Sequence, residues 1–148
     1  YKSLLYIIDG YNVLYSTSFK RWIEKFGLES ARNHLINFIR SYKKKFIIVF
    51  DGRENYPSPN IPNVIFTKGE SADEYIKRFI KNYHNKSEIV VVSNDKSIRD
   101  FARKLNIKSM SVNEFLNSAN RKELLKREKE IDFDKITEEI KKEWGLDF

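Results

Sequence analysis

The sequence predicts an α/β fold: a three-layer sandwich with a central parallel sheet. Three observations carry this. Short β-branched apolar runs alternate with stretches of helical period, as βαβ units require. The runs lack polar alternation, so the strands they form are covered on both faces. Several of the runs end on an acid, or on a turn followed by one, rather than on a hairpin partner.

Leu4 to Ile8 is the first run and ends at Asp9-Gly10. Ala31, Leu35, Phe38 and Tyr42 then recur at the spacing of one helical face. Lys43, Lys44 and Lys45 follow, reading as charge complementary to that helix's C-terminus. Phe46 to Phe50 is the second run and ends at Asp51-Gly52. The stretch from Tyr56 to Pro62 holds all three prolines of the chain and reads as a loop. Val64 to Thr67 is a third, shorter run. Ser71-Ala-Asp-Glu74 is a capping box, and Ile76, Phe79, Ile80 and Tyr83 continue the helix it opens. Ile89 to Val92 is the fourth run, followed by Ser93-Asn94-Asp95. Ile98, Phe101, Ala102 and Leu105 mark the next helix, and Ile107 to Met110 a short fifth strand. A second capping box, Ser111-Val-Asn-Glu114, starts another helix.

The chain changes character after that. Residues 120–130 are almost all charged, and Asp134 then caps a last helix with Ile136, Ile140 and Trp144 on one stripe, closed by Gly145. The expected organisation is a sheet-bearing domain over 1–118 and a helical extension over 119–148 packed on the same domain. Basic residues of the extension, including Lys126 and Arg127, are expected to face solvent.

Composition narrows the function. With 148 residues and 41% hydrophobic content, the chain buries a full core. The absence of cysteine excludes disulfides, thiolate metal sites and cysteine nucleophiles. Only His34 and His84 are available, which disfavours a histidine zinc site or a serine–histidine triad; both are expected in helices away from the acids. No apolar run reaches the roughly 18 residues of a membrane span, and the N-terminal stretch does not read as a signal peptide. The expected setting is cytoplasmic, with no membrane partner. The net charge of +7 points toward a polyanion.

The position of the acids is the informative feature. Asp9, Asp51 and Asp95 follow strands that share one direction, so their ends lie on the edge where open α/β sheets bind ligands. Asp73, in the first turn of a helix, faces the same edge. Each has an ordinary explanation alone: a turn at Asp9 and Asp51, a helix-dipole acid at Asp73, an N-cap at Asp95. Their convergence does not. Gathered carboxylates repel, and a hard divalent cation, Mg²⁺ or Mn²⁺, is their natural counter-charge. In a basic chain that combination points to a nucleic-acid phosphodiester. Asn12 is placed to orient water or to serve as a turn residue, and Ser93 and Asn94 to shape the pocket. Glu70 reads as a loop acid or a further ligand. Arg53, Lys68 and Lys96 lie near the edge as phosphate contacts, and Tyr11 and Tyr56, expected on loops, as base-stacking rings.

Four motifs in order, Ile-Ile-Asp9-Gly-Tyr-Asn12, Val-Phe-Asp51-Gly, Glu70-Ser-Ala-Asp73-Glu and Val-Val-Ser93-Asn-Asp95, resemble the NYN domain nucleases, specifically the YacP-like branch of the PIN-like group. The resemblance spans roughly residues 4 to 116. It implies a metal-dependent endoribonuclease with Asp9, Asp73 and Asp95 as metal ligands and Asp51 and Asn12 beside them. One departure is Lys96-Ser97, where relatives more often carry an arginine and an acid. The expected partner is RNA presented by a ribosome or another ribonucleoprotein, with no organic cofactor. The alternative is a catalytically silent RNA-binding module of the same fold. A dehalogenase-like phosphatase would want a second acid at position 11, which is Tyr, and a phospho-receiver would want paired acids after the first strand.

Overall fold

The computed structural model describes residues 4–16, 19–42, 44–52 and 60–118. The chain divides into two compact units, Tyr1–Phe115 and Leu116–Phe148, and the first contains the sheet. The expected extension over 119–148 lies outside the described residues, as do Arg53 and Tyr56.

Five strands form one sheet: β1 (Leu5–Asp9), β2 (Lys45–Phe50), β3 (Val64–Phe66), β4 (Ile89–Val92) and β5 (Lys108–Met110). Their order is β3-β2-β1-β4-β5, and every pairing is parallel. The predicted class holds, and all five runs are found within a residue of where the sequence puts them. The chain moves outward from β1 to β3, then returns to add β4 on the other side of β1. The order therefore reverses between β1 and β4, which opens a crevice at their C-terminal ends.

Register decides which side chains share a face. Ile7 pairs with Ile47 on one side and Val91 on the other. Ile7, Val49 and Val91 join Ile76, Ile80, Ile98 and Ala102 in one buried aliphatic cluster. Those last four residues belong to α4 (Ala72–Asn82) and α5 (Lys96–Lys104), so these two helices cover that face. Side chains alternate along a strand, so Asp9, two residues beyond Ile7, is on the same face.

The opposite face buries Tyr6, Ile8, Phe46, Ile48, Phe50, Val90 and Val92. Aromatic rings dominate its packing: Tyr6 meets Phe115 at 5.7 Å, and Phe50 meets Tyr11 at 5.0 Å and Phe66 at 5.4 Å. Tyr11 belongs to α1 (Gly10–Ser16), which packs on β1 and β2; α2 (Phe19–Phe26) and α3 (Leu28–Arg40) pack against α1. Only α3 of these three is visible as a periodic pattern in the sequence. α1 spans under two turns and α2 buries only Phe19, so neither shows a repeat. His34 stacks on Trp22 of α2, with centroids 3.9 Å apart and planes 6° from parallel. His84 falls just past the end of α4 rather than inside it.

The two Asp-Gly pairs are not hairpin turns. Gly10 opens α1 directly from the strand, and a Cβ there would strike the Phe50 ring. A Cβ on Gly52 would strike the carbonyl oxygen of Thr67. Both glycines are needed for close approach, not for a reverse turn.

Among the described residues, no helix is long and apolar enough to cross a membrane.

Candidate functional site

The site forms where the strand order reverses. Asp9 is the last residue of β1, and Ser93 follows β4, the adjacent strand. The Ser93 hydroxyl donates to Asp9 Oδ2 at 3.1 Å and accepts from the Asp95 N–H at 3.0 Å. One fully buried hydroxyl thus ties the first acid to the backbone of the third. The turn itself is fixed from both sides. The Asn94 N–H donates to Asn12 Oδ1 at 2.7 Å, and the Val112 N–H donates to Asn94 Oδ1 at 2.9 Å. Asn12 therefore acts on the β4 turn through its amide oxygen, from inside α1 rather than from a cap or a loop.

Asp95 is the N-cap of α5. Its Oδ1 accepts from the Ser97 N–H at 2.8 Å and the Ile98 N–H at 3.4 Å. Both bonds fall on one oxygen, so the cap does not use Oδ2. The expectation of an N-cap and that of an edge acid are met by the same side chain.

Asp73 is the second residue of α4, behind the N-cap Ser71, whose hydroxyl accepts from the Glu74 N–H at 3.1 Å. α4 lies on the face that carries Asp9, and its N-terminus reaches the same edge. Lys77, one turn on, pairs with Asp73 Oδ1 at 2.9 Å. Glu70 pairs instead with Arg78.

Electrostatics show which acids reach one another. Burial pushes the Asp9 carboxyl up to about 6 from an ordinary 3.8. The Ser93 hydroxyl and the Asn12 backbone N–H pull it down, while the charges of Asp95 and Asp73 push it up further. Asp9, Asp95 and Asp73 thus share one field. Among the described residues, however, no three His, Asp or Glu side chains are gathered closely enough to hold one ion between them.

Asp51 lies at the end of the strand on the other side of β1. It follows β2, whose end is held by Thr67: the Thr67 N–H donates to the Phe50 carbonyl at 3.0 Å, and the Gly52 N–H donates to Thr67 Oγ1 at 3.1 Å.

The basic and aromatic candidates are spread along the edge. Lys68 is exposed in the turn between β3 and α4, and Lys96 is the exposed first residue of α5. Arg53 lies outside the described residues. Tyr11 is half-buried in α1, not on a loop. Its hydroxyl accepts from Arg32 at 3.3 Å, and its ring packs between Phe50 and Tyr15. Tyr15, at 54% exposure, carries the open ring of that ladder. Sequence reasoning passed over Lys77 and Arg32. The four-residue step from Asp73 would have flagged Lys77; Arg32 meets Tyr11 only in the fold.

A family described as the YacP-like NYN domain matches residues 6–146. The chain belongs to this family. The match continues well past the motif-bearing stretch that ends near 116. Among solved structures, a crystal structure of Rae1 (YacP) from Bacillus subtilis, a tryptophan-to-leucine mutant, is similar at 28% identity and a TM-score of 0.67. That likeness covers 97% of this chain and 89% of the other. A second crystal structure of Rae1 (YacP) from Bacillus subtilis shares the fold at 24% identity and a TM-score of 0.66, covering 96% and 89%. No curated protein matches. Membership of the YacP-like NYN family makes the acid-bearing sheet edge part of a nuclease-type fold.

Proposed function

We propose that the chain is a metal-dependent endoribonuclease that hydrolyses RNA phosphodiester bonds at the β1/β4 crevice. The observation that carries this reading is Asp9: a half-buried carboxyl, bonded to the Ser93 hydroxyl at the point where strand order reverses, its ionisation opposed by desolvation and by Asp95 and Asp73. A divalent cation relieves that opposition. The donors are all oxygens, which suits Mg²⁺ or Mn²⁺ over softer metals. Asp9, Asp73 and Asp95 would hold it. Bound there, such an ion supplies an activated water at neutral pH and neutralises charge on the phosphate during in-line displacement.

The protein's own groups do the rest. Ser93 orients the Asp9 carboxylate, and Asn12 holds the turn that carries Ser93 and Asp95. Asp51 sits at the flank of the crevice and acts on the incoming strand or on water, not on the ion. Arg53, Lys68 and Lys96 contact phosphates, and Tyr11 backs the exposed Tyr15 ring as a stacking surface. The modest charge excess supports weak, salt-sensitive binding of free RNA, with a ribosome or another ribonucleoprotein presenting the substrate in the cytoplasm.

The test is incubation with labelled single-stranded RNA and DNA, in Mn²⁺ and in EDTA. The reading requires internal cleavage of RNA with Mn²⁺ and none in EDTA. Binding of RNA without cleavage under any metal would instead make the chain a silent RNA-binding module.

A further inference from the structure

We propose that Lys77 is an internal counter-ion, holding Asp73 in the metal-free chain and competing with the divalent cation for it. The inference rests on the metal-site reading above and names the residue that sets the site's affinity.

An ordinary surface pair at this helical spacing is loosely held and contributes little. Lys77 is different because it is tied to a second helix. Its ammonium pairs with Asp73 Oδ1 at 2.9 Å and also donates to the Ser97 hydroxyl, in the first turn of α5. It lies over the Phe101 ring, 6.0 Å from the centroid, one further turn along α5. Three contacts from two helices fix it, and its side chain is only 28% exposed. The Ser97 hydroxyl accepts the ammonium without adding a carboxylate that would compete for it.

The position of this bracket matters. It joins the N-terminal turns of α4 and α5, the two turns that carry Asp73 and Asp95. Asp73 reaches Asp9 as a charge, yet the acids are not drawn into one ligating group. Asp73 already has a cationic partner in Lys77. A dication entering beside Asp9 must exchange places with that ammonium, and the exchange lowers its apparent affinity by the strength of the pair. For a partly exposed pair that is about two- to fivefold.

The test is calorimetric titration of Mn²⁺ into metal-free protein at pH 7.5. Lys77→Gln should tighten the Kd by about two- to fivefold. Lys77→Arg, which keeps charge and reach, should match the wild type. Lys81→Gln removes the same charge one turn further along α4 and should change the Kd much less. Lys77→Met retains an apolar stem on Phe101; it repeats the measurement if the glutamine variant folds poorly and should tighten binding likewise. An unchanged or weaker Kd in Lys77→Gln and Lys77→Met, or equal tightening in Lys81→Gln, overturns the inference. Absence of Mn²⁺ binding in the wild type would remove the metal site itself, a distinct failure.

Discussion

The ends of β1 and β4 and the ends of β2 and β3 look alike in sequence but are built differently. Each pair offers an Asp at or just after a strand. At β1/β4 the acids are linked: Ser93 bonds to Asp9 and to the Asp95 backbone, and Asn12 and Asn94 pin the turn between them. At β2/β3 the bonds of Thr67 and the close approach of Gly52 fix the backbone around Asp51. The difference follows from topology. Strand order reverses only between β1 and β4, so only there do successive helices diverge and leave room for a ligand. A strand-end acid becomes a candidate for chemistry by its place in the strand order, not by its motif alone.

The sharpest break of this comparison comes from the acids on the β1/β4 side. Asp9→Asn or Asp73→Asn should each lower RNA cleavage by more than about 100-fold at saturating Mn²⁺, measured on a labelled single-stranded substrate. Near-normal rates in either would remove that residue from the site.

The next effect is on orientation. Ser93→Ala deletes the hydroxyl that favours ionised Asp9, and should cost about 10- to 100-fold in kcat/KM. It should also move the acid limb of the pH–rate profile upward, because the lost hydrogen bond stabilised the charged form. A profile that stays in place would show that Ser93 only packs.

The smallest effect is on stability, and its sign is distinctive. Asp9 titrates near 6 when folded and near 3.8 when unfolded, so the folded chain holds the extra proton between these values. Stability contributed by protonated Asp9 is therefore present at low pH and lost as pH rises through about 6. In EDTA at pH 7.5, Asp9→Asn should melt several degrees above the wild type, reflecting a relieved cost of about 2–3 kcal/mol. At pH 4 the two should nearly coincide. A lower melting temperature for the variant at pH 7.5 would mean that the carboxylate stabilises the fold.

The strands and their shared direction were legible because fully covered β-branched runs have few other uses. Ser71 and Ser111 were legible as helix caps, and both accept the expected N–H, from Glu74 and Glu114. α1 and α2 were not, since seven and eight residues give too few turns for a period to appear. In the site, the edge acids could be named from strand ends, but their ranking could not. Asp51 and Asp95 are equivalent until strand order is known. Lys77 was hidden for another reason: its significance lies in Ser97 and Phe101, twenty or more residues away on a different helix.

The central claim is that the β1/β4 crevice, and not the β2 end, carries the chemistry. Single-turnover cleavage of one labelled RNA by wild type, Asp95→Asn and Asp51→Asn tests it most directly. Asparagine caps helices about as well as aspartate, so Asp95→Asn removes the charge while keeping the start of α5 intact. The account predicts that Asp95→Asn loses more than about 100-fold in rate and Asp51→Asn less than about tenfold. The reverse order, or equal losses, would contradict it.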